Sequence, residues 1–178
     1  MKQQAGDKFQ QAVSACRTGG YEKALVLLRE AQRDWSDHPG IAFYTALSLQ
    51  KTRKPVEAAK VYRDLLETYP DHVPSLNNLA VIESLRRQFA VGIPLTLRTL
   101  QLAGDVVLLN DNAYKAMVRV NEAKVRGFEG DMVRLEGLLG RFDTAMQQQG
   151  LFRWGSSWIT ADRFKAIQET NREIDEKM

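Results

Sequence analysis

The stretch "IAFYTALSLQKTRKPVEAAKVYRDLLETYP", residues 41–70, reads as two short helices with a single break between them. Lys54-Pro55 supplies the break, because proline has no backbone N–H to donate and suits the first turn of a new helix. Ala46 and Ala58 are small where their neighbours are bulky, so the two backbones can approach closely. Pro70, followed by Asp71-His72, stops the pair and starts the next element.

The same marks recur along the chain. Asp37, Asp71 and Asp105 share a step of 34 residues with Ala12, Ala46 and Ala80, with Ala24, Ala58 and Gly92, and with His38 and His72. Gly19-Gly20 supplies the break inside the first copy. A helix–turn–helix carried on such a step predicts stacked antiparallel helix pairs, an all-α solenoid.

On these residues the sequence resembles the tetratricopeptide repeat family. The second repeat carries Ala46, Ala58, Tyr62 and Pro70. The third, "SLNNLAVIESLRRQFAVGIPLTLRTLQLAGD" over residues 75–105, keeps Asn77-Asn78-Leu79-Ala80 and Phe89 but departs at Gly92, Thr96 and Gly104. The first keeps Ala12, Gly19, Tyr21, Ala24 and Ala31. A fourth copy is degenerate: Tyr114 stands where the alanines Ala12, Ala46 and Ala80 stand, and its turn, Arg126-Gly127-Phe128-Glu129-Gly130, is irregular. The expected organisation is a repeat domain over residues 1–149, with copies at 5–38, 39–72, 73–106 and 107–149, and a cap over 150–178.

A chain of 178 residues with 25 basic and 22 acidic side chains has a mixed surface, and its net charge of +3 does not call for nucleic acid. No run approaches the roughly 18 apolar residues of a membrane-spanning helix. Val13-Ser14-Ala15-Cys16 has the look of a lipoprotein cleavage site, but no apolar run precedes it. Cys16 is the one cysteine, so no disulfide forms within the chain. The expectation is a cytoplasmic protein, with an upstream signal or membrane segment outside this sequence left open.

The resemblance implies that the first helix of each pair lines a concave groove. Phe9, Val13, Phe43, Leu47 and Val81 then form an apolar floor, with the Asn77 amide among them and Lys51, Lys115 and Arg119 as cations at its edges. Such a surface suits a protein or peptide partner with apolar and acidic residues. A slip of one or two positions would turn the same apolar side chains into packing between helices. The Lys and Asn set with which some members grip a terminal carboxylate is not reproduced, since Phe9 and Val13 stand in its place. A second ladder collects at the turns, where Lys51, Arg53 and Lys54 align with Arg86 and Arg87 and with Lys124 and Arg126. Cations at helix C-termini offset the backbone dipole, which accounts for that ladder without a ligand.

No reaction is announced. His38 and His72 are explained as helix punctuation, and Cys16 has Arg17 beside it and no histidine at helical spacing. No Gly-rich phosphate loop or hydrolase elbow occurs. The expectation is a non-catalytic interaction module without cofactor or metal.

Outside the repeats lies "LFRWGSSWIT", residues 151–160, where Trp154 and Trp158 flank a Gly-Ser-Ser turn. Its apolar residues, Phe152 among them, are too large to leave in water, each being worth about 1.5–3 kcal/mol on full burial. A helical stack exposes an apolar end that must be covered, so the segment is read first as a cap on the fourth pair. It can also compete for the groove, or enter another copy and make a homo-oligomer. Thr160 caps a last helix whose apolar side carries Phe164, Ile167 and Ile174. The alternative function is a structural subunit whose groove is always filled.

Overall fold

The computed structural model describes residues 2–175, with side chains up to Arg172. Along them run α1 (Lys2–Arg17), α2 (Tyr21–Asp34), α3 (Pro39–Lys51), α4 (Pro55–Thr68), α5 (Val73–Leu85), α6 (Phe89–Ala103), α7 (Val107–Ala123), α8 (Glu129–Gln148), β1 (Leu151–Trp154), β2 (Ser157–Thr160) and α9 (Ala161–Asp175). This is the all-α helical repeat that the sequence step predicts, with one small hairpin added. No helix among the described residues is long and apolar enough to cross a membrane. The chain divides into two compact units between Leu95 and Thr96.

In the first unit the helices begin where proline is harmless: Pro39 and Pro55 open α3 and α4. The helices α1, α3 and α5 end in one repeated motif. The N–H groups of Gly20, Lys54 and Gln88 donate to the carbonyls of Ala15, Leu49 and Glu83 at 2.8–2.9 Å, and those of Gly19, Arg53 and Arg87 donate to Cys16, Gln50 and Ser84 at 3.1–3.3 Å. This pair of bonds is a Schellman closure, and it needs a left-handed residue at its corner. Gly19 (φ 82°), Arg53 (φ 62°) and Arg87 (φ 60°) fill that corner, on the same step as the alanines.

Between the helices Ala12, Ala24, Ala46 and Ala58 are all 0% exposed, so their methyl groups set the closeness of each pair. Gly92 belongs to the same series and is smaller for a reason. A Cβ there would lie 3.2 Å from the Ser84 nitrogen and 3.4 Å from the Ala80 carbonyl oxygen, because α6 crosses α5 against its backbone. Glu83 is buried on α5 and is held between Arg63 (2.8 Å) and Arg86 (3.0 Å).

In the second unit Met132, Leu135, Leu139, Phe142 and Met146 form the buried stripe of α8, and Leu109, Ala113, Ala116 and Val120 that of α7. The buried small residue is Ala113, one place before the Tyr114 that the step marks. The turn differs as well: Lys124 (φ 51°) caps α7 and the chain turns again at Gly127 (φ 94°), whose N–H donates to the Glu129 carboxylate.

The tryptophan segment is extended rather than a loop. β1 and β2 pair antiparallel, with Trp154 opposite Ser157 and Arg153 opposite Trp158. The turn is therefore two residues long, Gly155-Ser156, with Gly155 at φ 59° as a II′ hairpin turn requires at its first position. Thr160 ends β2 directly before α9. Phe164 and Ile167 are half-buried on α9, and the Ile174 side chain lies outside the described residues.

Candidate functional site

In the first unit α1 and α3 pack side by side, and α5 follows next to α4. Aromatic rings tie the row together. Phe9 on α1 meets Tyr44 edge-on at 5.8 Å, and Tyr44 meets Phe43 at 5.3 Å. Phe43 in turn packs on His72 at the head of α5 (5.4 Å) and on Tyr62 (6.1 Å). Phe9 also covers Gly40, where a Cβ would come within 2.7 Å of its ring. Phe9, Phe43, Leu47 and Val81 keep part of their surface in solvent, and Lys51 is exposed. Val13 and Asn77, by contrast, are buried, so the two of them belong to the interior more than to an open floor.

Behind the aromatic row runs a chain of polar groups. Asn77 Nδ2 donates to Asn78 Oδ1 (3.1 Å), Asn78 Nδ2 donates to Tyr62 Oη (2.9 Å), and Tyr62 Oη donates to Gln50 Oε1 (3.3 Å). Burial pushes the Tyr62 phenol well above its usual range, although the Asn78 amide works against that rise. It therefore stays a neutral donor. His72 is also kept neutral: burial lowers its pKa, and its Nδ1 accepts the Ser75 N–H at the first turn of α5. His38, at the equivalent place one repeat earlier, does a different job, packing at a tilt against Trp35 (4.0 Å) and Phe9 (4.9 Å).

In the second unit the hairpin lies against α7 and α8 through one arginine. Arg153, with a side chain 9% exposed, donates from Nε to both oxygens of Asp143 (2.9 and 3.0 Å) and from Nη1 to Asp111 Oδ1 (3.2 Å). Its Nη2 lies 2.9 Å from Asp143 Oδ1 but off the hydrogen-bond direction, an ion-pair contact only. The guanidinium sits 4.9 Å from the Tyr114 ring centre and 4.4 Å from that of Trp158. Trp158 donates from Nε1 to the same Asp111 oxygen (3.1 Å) and meets Phe142 edge-on at 5.7 Å. On the other side Phe152 stacks on Phe164 of α9 at 4.9 Å. Trp154, at the tip, remains 46% exposed. Lys115 is exposed on α7 and Arg119 half-buried one turn on.

No protein-family model matches this sequence, and no curated protein matches it. Solved structures do. MamA from residue 41 to its end, from Desulfovibrio magneticus RS-1, superposes with a TM-score of 0.66 at 13% identity, over 79% of this chain and 76% of that one. MamA of AMB-1 gives 0.61 at 15% identity, over 83% and 89%. A thermophilic tetratricopeptide-repeat protein of Thermus thermophilus, TTC0263, gives 0.60 at 14% identity, over 80% and 82%. The chain adopts a tetratricopeptide-type fold.

Within the tetratricopeptide-type fold, Arg153 is the residue that sequence reasoning passed over. Its partner Asp111 is remote in the chain, Asp143 lies on the preceding helix, and nothing in "LFRWGSSWIT" marks an arginine between aromatics as a buried ion. The hairpin itself had a signal: a Gly-Ser pair flanked by aromatic and β-branched residues. Of the cationic ladder, Arg86 is drawn into the Glu83 pair, while Arg53 and Arg87 occupy the strained corners of their turns.

Proposed function

We propose that this protein is a non-catalytic interaction module that holds a segment of a partner protein on the face shared by α1, α3 and α5. The observation that carries the reading is the row of Phe9, Phe43, Leu47 and Val81, which stays partly open on a scaffold whose helix pairs are closed by alanine packing. Large apolar side chains left half in water on a rigid framework are what a partner's anchors bury. Lys51, at the exposed end of α3, suits an acidic residue beside those anchors, and the repeat fold of the structural neighbours supports protein partners in general. The cytoplasmic setting remains part of this reading. So does the homo-oligomer, supported by the exposed Trp154 at the hairpin tip.

Selection of dodecapeptides from a random displayed library against the full chain tests the proposal. Peptides so obtained are expected to bind at least tenfold more weakly to a Phe43→Ala, Leu47→Ala variant whose circular dichroism and cooperative melting are retained. Equal affinity for the folded variant overturns this site.

A further inference from the structure

The side of α7 next to the hairpin carries Tyr114, Lys115, Val118, Arg119 and Glu122, spaced as one face of a helix, and with the hairpin turn it borders an open cleft of about 370 Å³. Lys115 and Arg119 enter no ion pair among the described residues. The charge that would ordinarily answer Lys115 is Asp111, one turn earlier on the same helix. Asp111 is engaged elsewhere: one of its oxygens accepts from both Arg153 and Trp158. The hairpin thus does two things to α7. It ties up the aspartate that would compete for the lysine, and it sets the Gly155-Ser156 turn as a fixed wall across from the two cations. Glu122 stands at the far end of the cleft and leaves it with one net positive charge.

We infer that this cleft is a subsite for an acidic segment of a partner protein, which places one carboxylate between Lys115 and Arg119 and an adjoining apolar side chain on Val118 and the Tyr114 ring. The inference rests on the proposed interaction function and adds to it a contact on α7 and the hairpin turn. Charge complementarity selects the occupant, because the cleft carries two cations to the one Glu122 carboxylate, and Val118 and Tyr114 offer apolar surface beside them. Preorganisation favours it too, since the wall is held by a buried guanidinium and need not be ordered when the segment arrives.

The test uses the full chain and the peptides selected from the random library. Among the selected peptides a group enriched in Asp and Glu next to Leu, Ile or an aromatic residue is expected, and that group loses at least tenfold in affinity against a Lys115→Glu, Arg119→Glu variant. A Lys115→Gln variant, altered only at an exposed site, is expected to lose severalfold and guards against misfolding of the double variant. Replacing the peptides' acids by Asn and Gln is expected to reproduce the loss on the unaltered chain. A selection in which no peptide responds to the cleft variants, while binders weakened by Phe43→Ala, Leu47→Ala are found, overturns the subsite and leaves the interaction function standing. A library that yields no binder overturns both.

Discussion

Among the first three repeats the helices close on alanine, and the contacts are set by what the side chains lack. Ala12, Ala24, Ala46 and Ala58 have no exposed surface, and the turns between them reuse one Schellman closure. Around the hairpin the closure is ionic and aromatic: Arg153 between two aspartates and two rings. The first arrangement can be copied on a fixed step because a methyl group fits any equivalent place. The second is made once, from residues far apart in the chain, and each part depends on the others.

The comparison is broken most sharply at Arg153. Arg153→Ala leaves Asp111 and Asp143 facing each other without their cation and is expected to cost about 3 kcal/mol. Hydrogen exchange is the measure: protection of the β1–β2 amides should collapse while that of α1–α5 holds. Unchanged protection would mean that aromatic packing alone seats the hairpin. Next comes overpacking at the alanine seam, where Ala46→Leu is expected to cost about 2 kcal/mol by urea unfolding. Here the loss should fall on the first unit and spare the hairpin.

Two smaller effects sharpen the contrast. Arg53 sits in a left-handed corner that glycine fills in the first repeat, so Arg53→Gly is expected to stabilise the first unit by about 0.5–1 kcal/mol, the relief of strain exceeding the added chain entropy. Thermal melting with the Arg87→Gly equivalent would show whether the gain repeats with the step. Last is pH. Burial lowers the His72 pKa in the folded chain from its ordinary 6.5, so the unfolded chain takes up the proton first as pH falls. Stability from this group is complete above pH 6.5 and is lost as pH drops from there toward the lowered folded value. His72→Asn keeps an acceptor at the head of α5 without the titration, and urea midpoints at about pH 7.5 and about pH 5.5 should then differ less, by about the His72 share.

Much of this was legible. The step in Ala12, Ala46 and Ala80 marks the helix pairs because a close crossing excludes anything larger, and size is visible in a sequence. The left-handed corner was legible only at Gly19. Arg53 and Arg87 adopt the same angle because the two bonds of the closure outweigh the strain, and no property of arginine advertises that. The surface row was half legible: Phe43, Leu47 and Val81 stay open, but Asn77 is drawn inward by the amide chain to Tyr62, a pairing between separate repeats that helical spacing does not encode. In the fourth copy the buried small residue is Ala113, one place before the Tyr114 that the step marks, although α7 begins at Val107 on the same step as Pro39 and Val73.

The buried Cys16 thiol lies 3.3 Å from the Ser48 hydroxyl, across the seam of α1 and α3, and the chain has no other cysteine. That makes the first repeat a clock with a single hand. A thiol reagent reacts when α1 lifts from α3, so the ratio of its rate in the native chain to that in the denatured chain gives the fraction of time that this one seam stands open. Partner binding across α1, α3 and α5 would slow that clock, and binding elsewhere would leave it running at its own pace.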